Sequence, residues 1–122
     1  MSMQNLASSF AEFSFQTGLT AARPSIKRYL SKMPGMFHDS AAYAAQLQQA
    51  DTLVYEFYEM GVPETATDVA YGTSITYPGK VGDEYFMTKG HFHTVLEAAE
   101  VYFCLRGKGI LMLENPEGDW EI

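Results

Sequence analysis

The sequence predicts an all-β sandwich or barrel carrying one short helix. Three observations lead there. From Val69 onward the chain reads as short apolar-alternating segments separated by turns rich in Gly and Pro. Only one stretch, Ala41 to about Gln49, has the Ala-, Gln- and Leu-rich composition of a helix. The composition, 47% hydrophobic and 14% aromatic, is that of a packed globular protein and excludes a disordered chain.

Residues 1–12 are polar and small and read as a loose arm. Phe13-Ser14-Phe15 alternates and ends at Thr17-Gly18, a short strand and its turn. Ile26 to Leu30 interleaves Lys27 and Arg28 with apolar residues, which suits an edge strand guarded against pairing with another chain. Pro34-Gly35 breaks it. Asp39 and Ser40 can cap the helix, and His38 before them reads as a loop residue. Leu53 to Tyr58 is strand-like by its β-branched and aromatic content. Gly61 and Pro63 close that strand, and Glu64 to Asp68 reads as a solvated loop.

Val69 to Tyr77 is the next strand, with Gly72, Ser74 and Thr76 on one face and Thr73, Ile75 and Tyr77 on the other. Pro78-Gly79 fits the middle of a type II turn, with Gly79 at positive φ. Tyr85 to His93 and Glu100 to Leu105 are then read as strands. Arg106-Gly107-Lys108-Gly109 turns the chain into Ile110 to Leu113. A last turn, Asn115-Pro116-Glu117-Gly118, leads into a strand at Asp119 to Ile122. No internal repeat interrupts this order, and a small antiparallel barrel of this kind can line a cavity with its inward positions.

At 122 residues the chain is one domain. Its formal charge of -7 repels polyanions, which argues against nucleic acid and anionic membrane as partners. The single cysteine, Cys104, cannot form an internal disulfide and reads as a small core residue of a protein in a reducing compartment. No apolar run is long enough to span a bilayer, and residues 1–10 lack the pattern of a signal peptide. The expected location is cytoplasmic.

The chemistry concentrates between Thr88 and Tyr102. His91 and His93 are two apart, so on a strand both imidazoles turn to one point while Phe92 packs on the opposite side. Glu100 lies an odd seven residues beyond His93 and joins them only if residues 94–99 make a turn. Glu97 competes for the carboxylate role, but Glu100 leads into an apolar strand, where a carboxylate would be largely buried and need a partner. Two imidazoles and a carboxylate form a divalent metal site with open positions. With Glu100 inward, Tyr102 follows it; its phenol either serves a ligand or packs as a core aromatic. Thr88, Lys89 and Gly90 add a hydroxyl, an ammonium and an accessible backbone N–H, and Ser74 and Thr76 add hydroxyls on a neighbouring strand. Such groups together suit a phosphate or polyol.

The blocks Tyr77-Pro78-Gly79-Lys80-Val81-Gly82, Thr88-Lys89-Gly90-His91-Phe92-His93, Ala99-Glu100-Val101-Tyr102, Gly107-Lys108-Gly109 and Pro116-Glu117-Gly118-Asp119 resemble the cupin-type (archaeal-type) phosphoglucose isomerases. Upstream, Phe15-Gln16-Thr17-Gly18 and Tyr55-Glu56-Phe57-Tyr58 extend the likeness over most of the chain. The resemblance implies a single cupin jelly-roll domain over residues 1–122 with its first cupin motif at about 88–109, and a homodimer. It also implies reversible conversion of glucose 6-phosphate to fructose 6-phosphate in glycolysis and gluconeogenesis. By position it implies His91, His93 and Glu100 as ligands of a divalent metal ion (iron, manganese, zinc or nickel), and Glu100 as catalytic base. It implies Ser74, Thr88, Gly90 and Tyr102 as sugar-phosphate contacts. Members of that family continue through a second cupin motif with another histidine ligand, so the roll is expected to be C-terminally incomplete here. The donor set is shared with cupin dioxygenases and with non-catalytic sugar- or metal-binding cupins, which are the alternatives.

Overall fold

A computed structural model describes residues 13–14, 16–20, 24–59, 72–95 and 99–122. The expected arm, the loop at residues 64–68 with Gly61 and Pro63, the start of the Val69 strand, Phe15 and Glu97 lie outside the described residues. The chain divides into two compact units, Met1–Lys89 and Gly90–Ile122.

The first unit is built on an antiparallel sheet of three strands, β3 (Ile26–Tyr29), β4 (Leu53–Glu59) and β5 (Gly72–Thr76), with β4 in the centre. The centre goes to the most apolar segment: Val54, Tyr55, Glu56 and Tyr58 are all buried. β3 is an edge strand, as its interleaved basic residues predict, and a register shift after Arg28 releases it into a 3-10 turn at Leu30–Lys32. β5 alternates exposed and half-buried residues, so Gly72, Ser74 and Thr76 share the more open face. Two short hairpins flank the sheet. β1 (Phe13–Ser14) and β2 (Leu19–Thr20) close through Gly18 at φ 70°, and the hydroxyl of Tyr58 donates to the Gly18 carbonyl at 2.9 Å. β6 (Lys80–Val81) and β7 (Glu84–Tyr85) close through Gly82 at φ 57°.

Helix α1 spans Ser40–Gln49, one residue earlier than expected. Asp39 is its N-cap, accepting from the Ala42 N–H at 2.8 Å, so Ser40 becomes the first helical residue. The helix buries no residue fully; Ala42, Tyr43 and Leu47 lean against the core formed by Leu30, Met33, Phe37, Val54, Tyr55, Val81 and Phe86. The Tyr43 hydroxyl donates to the Leu30 carbonyl at 2.8 Å and its ring stacks on Phe37, which anchors the helix to the 3-10 turn. Among the described residues no helix is long and apolar enough to cross a membrane.

Two expectations fail here. Gly79 does not adopt positive φ, so Pro78-Gly79 is not a type II turn. The glycine is needed for space: a Cβ would lie 2.4 Å from the Phe86 ring, and the Phe86 N–H donates to the Gly79 carbonyl at 2.9 Å. The strand read over Tyr85 to His93 stops pairing at Tyr85.

The second unit carries one small sheet, β8 (Leu113–Glu114) paired with β9 (Trp120–Glu121) around the expected turn, with Gly118 at φ 88°. Glu100 to Leu105 and most of Ile110 to Leu113 form no ladder, although Arg106 and Gly107 do bend the chain. Among its described residues none is buried, and Val101, Phe103, Ile110 and Met112 are exposed. Cys104, expected in the core, is exposed too, with its thiol near the carbonyls of Arg106 and Gly107. The reason is the same for all. An alternating segment becomes a buried strand only where a neighbour takes up its hydrogen bonds and a second layer covers its apolar face, and the described residues of this unit supply neither. The architecture is thus mostly strand, in small open sheets, with one helix.

Candidate metal centre

Gly90 opens the second unit at φ 66°, a conformation that glycine adopts without penalty. The two following histidines sit on one side of the chain, their rings stacked with centroids 5.6 Å apart and planes inclined by 29°. The chain bends at Thr94 and Val95 and returns to place Glu100 beside them. Glu100 Oε2 lies 2.9 Å from His93 Nε2. One donor atom from each of His91, His93 and Glu100 lies within 4.8 Å of the others.

Around an ion with bonds of about 2.1 Å, ligand atoms stand roughly 3–4 Å apart, close to the spacing of these three donors. The donor chemistry fits a borderline first-row divalent ion, and three protein ligands leave positions open. His93 is the most enclosed of the three, its side chain 23% exposed against 41% for Glu100. Glu100 is therefore more open than its apolar flanks predict. Phe92, expected to pack on the opposite side, is exposed for want of a covering layer.

Tyr102 belongs to the same cluster. Partial burial, then a hydrogen bond to Glu100, then the carboxylate charge raise its phenol above the usual tyrosine range. The residue is 54% exposed and is not packed in a core. Thus His91, His93, Glu100 and Tyr102 are brought together, with Gly90 next to them in the chain. Ser74 and Thr88 belong to the first unit, both exposed, Ser74 on the open face of β5.

Reading the sequence missed a second polar cluster. Glu56 is buried at the middle of β4 and accepts hydrogen bonds from the hydroxyls of Ser25 and Tyr77, which tie it to both neighbouring segments. The bond from Ser25, then that from Tyr77, hold its carboxyl below the usual glutamate range against the opposing effect of burial. The signal was a lone carboxylate within the run Leu-Val-Tyr-Glu-Phe-Tyr.

Comparison with known proteins identifies the family. Residues 27–121 match the sequence model of the glucose-6-phosphate isomerase family. A glucose-6-phosphate isomerase from Thermococcus litoralis is 45% identical over 106 residues, which is 86% of this chain and 55% of that protein. One from Pyrococcus furiosus is also 45% identical, over 105 residues and 56% of its length. A bacterial relative from Sinorhizobium medicae, of the same name, is 38% identical over 85% of this chain and 49% of its own. The chain spans about half the length of the relatives it matches. The chain belongs to the glucose-6-phosphate isomerase family.

Proposed function

We propose that this chain carries the metal-binding half of an aldose–ketose isomerase that interconverts glucose 6-phosphate and fructose 6-phosphate. The observation that supports it is the convergence of His91, His93 and Glu100 within 4.8 Å, in a chain of this family. These three residues would hold iron, manganese, zinc or nickel. The ion, when bound, would supply Lewis-acid polarisation of a sugar oxygen as negative charge develops on the oxygens of C1 and C2.

The rest is work for the protein's own groups. Glu100 either leaves the ion and carries the proton from one of the two carbons to the other as base, or stays bound while the hydrogen passes directly between them. Its carboxylate is oriented on one side by His93 and on the other by the phenol of Tyr102. Tyr102, Gly90, Thr88 and Ser74 bind the sugar phosphate, the hydroxyls and the Gly90 N–H as donors to its oxygens. The fold that goes with this chemistry is the cupin jelly roll, supported by the antiparallel β3–β4–β5 sheet and the short hairpins around it. The assembly is a cytoplasmic homodimer, in keeping with the family.

A coupled assay tests this reading. The purified chain, supplied with each of the four ions, should form fructose 6-phosphate from glucose 6-phosphate, and a chelator should abolish the reaction. No conversion and no binding of sugar phosphate with any ion would overturn it.

A further inference from the structure

We propose that Glu56 is a registry device: one buried carboxylate fixes how both outer strands pair with β4, and with that the face on which Ser74 stands. Its link to function rests on the isomerase reading, which gives Ser74 its role and makes Glu56 a positioning residue, not a catalytic one.

The outer strands carry little else that could set their register. β5 reads Gly-Thr-Ser-Ile-Thr and has no fully buried residue, only exposed and half-buried ones in turn. β3 reads Ile-Lys-Arg-Tyr, with three of its four residues exposed. A hydrophobic pattern pins register where one face is buried and specifies it weakly in strands that are polar on both sides. A slip of one residue along β5 would carry Ser74 and Thr76 to the opposite face. Yet β5 pairs with β4 without a break from Gly72 to Thr76.

Glu56 supplies what these strands lack. It is 6% exposed at the middle of β4, directly opposed by Lys27 on β3 and by Ile75 on β5. Its two donors lie two residues along each outer chain from those partners, Ser25 before Lys27 and Tyr77 after Ile75. Positions two apart share a face, so both hydroxyls stand on the Glu56 side and reach it diagonally, in opposite directions along β4. One carboxylate oxygen serves each neighbour: Oε2 accepts from Ser25 and Oε1 from Tyr77. The Tyr77 N–H also donates to the Val54 carbonyl at 2.9 Å, so the ladder runs on to the residue that makes the contact. A slipped strand turns its donor to the far side and leaves one oxygen of a buried carboxylate unsatisfied. Selecting one register among several is the best-attested use of a buried polar group.

NMR spectroscopy of the full chain tests the assignment, with urea unfolding to report that each variant is folded. Wild type should give one set of amide signals for β3 and β5 and a cross-strand contact between Phe57 and Ser74. Y77F keeps the Ser25 bond and should give a second set of signals at residues 72–76 but not at 26–29. S25A should do the reverse, and it decides if Y77F does not fold. In Y77F the affinity for glucose 6-phosphate should fall about threefold or more, following the fraction of chains left in register. A folded Y77F with a single set of signals and the wild-type Phe57–Ser74 contact would overturn the registry role, whatever its stability. A second set of signals with unchanged glucose 6-phosphate affinity would overturn the link to Ser74. A wild-type chain that neither binds nor converts glucose 6-phosphate would overturn the isomerase reading, while the spectra still decide the register.

Discussion

His93 Nε2 and Glu100 Oε2 stand 2.9 Å apart, so the two groups that would hold an ion satisfy each other without one. Metal binding must replace that contact: the ring nitrogen gives up any proton it carries, and the carboxylate swings from proton to cation. Affinity for a divalent ion should therefore fall as pH is lowered, and binding should release protons. Titration in buffers of different ionisation enthalpy measures that release. H93A should lower affinity by more than about 100-fold, and Y102F, which removes only the donor to Glu100, by about tenfold. Unchanged zinc affinity in H93A would rule out this centre.

Glu56 should govern acid stability. Its hydrogen bonds from Ser25 and Tyr77 favour the ionised form, so the folded pKa lies below the unfolded one. A depressed carboxylate stabilises the fold fully above its unfolded pKa, and that stabilisation is lost as pH falls through the folded value. E56Q should accordingly flatten the decline in melting temperature between pH 7 and acid conditions. E56A leaves both hydroxyls without their acceptor and should cost about 1–3 kcal/mol in urea unfolding near pH 7. A wild-type acid decline retained in E56Q would show that other carboxylates control it.

Much of the first unit was legible because its signals are local. Lys27 and Arg28 marked β3 as an edge, Asp39 marked the start of α1, and the apolar run of β4 marked the sheet centre. Glu56 was not read, because its partners Ser25 and Tyr77 are 31 and 21 residues away and only the sheet register unites them. In the second unit the rings of His91 and His93 lie side by side, although the segment that carries them forms no strand. The burial expected of Glu100, Phe92 and Cys104 did not follow, since burial depends on a second layer and alternation only marks which face would receive it.

Asp39 joins the helix to the β6–β7 turn. Its carboxylate caps α1 at Ala42, and a Cβ at Gly82 would approach that carboxylate to 3.2 Å. The neighbouring His38 N–H donates to Glu84 of β7 at 2.6 Å. D39A should cost about 1 kcal/mol, and D39N, which keeps an acceptor, much less. Chemical unfolding of the two variants should show this order; equal losses would mean that charge, not the cap hydrogen bond, matters here.

Gly79 and Gly35 make opposite demands, and their alanine variants should separate them. At Gly79 the backbone is permissive, but an added Cβ meets the Phe86 ring at 2.4 Å. Phe86 belongs to the buried core and cannot swing out freely, so G79A should cost about 1–3 kcal/mol through overpacking. At Gly35 nothing lies within 4 Å of the added carbon, but φ is 76°. G35A should therefore cost about 1–2 kcal/mol through backbone strain alone. The pair divides again when Phe86 is trimmed. Setting G79A in an F86L background should recover part of its loss, whereas G35A should cost the same with either residue at 86, as sites without shared partners do. Urea unfolding of G79A, G35A, F86L and the two double variants measures this coupling. A G79A cost independent of residue 86 would mean that the glycine serves the turn's backbone and not the ring.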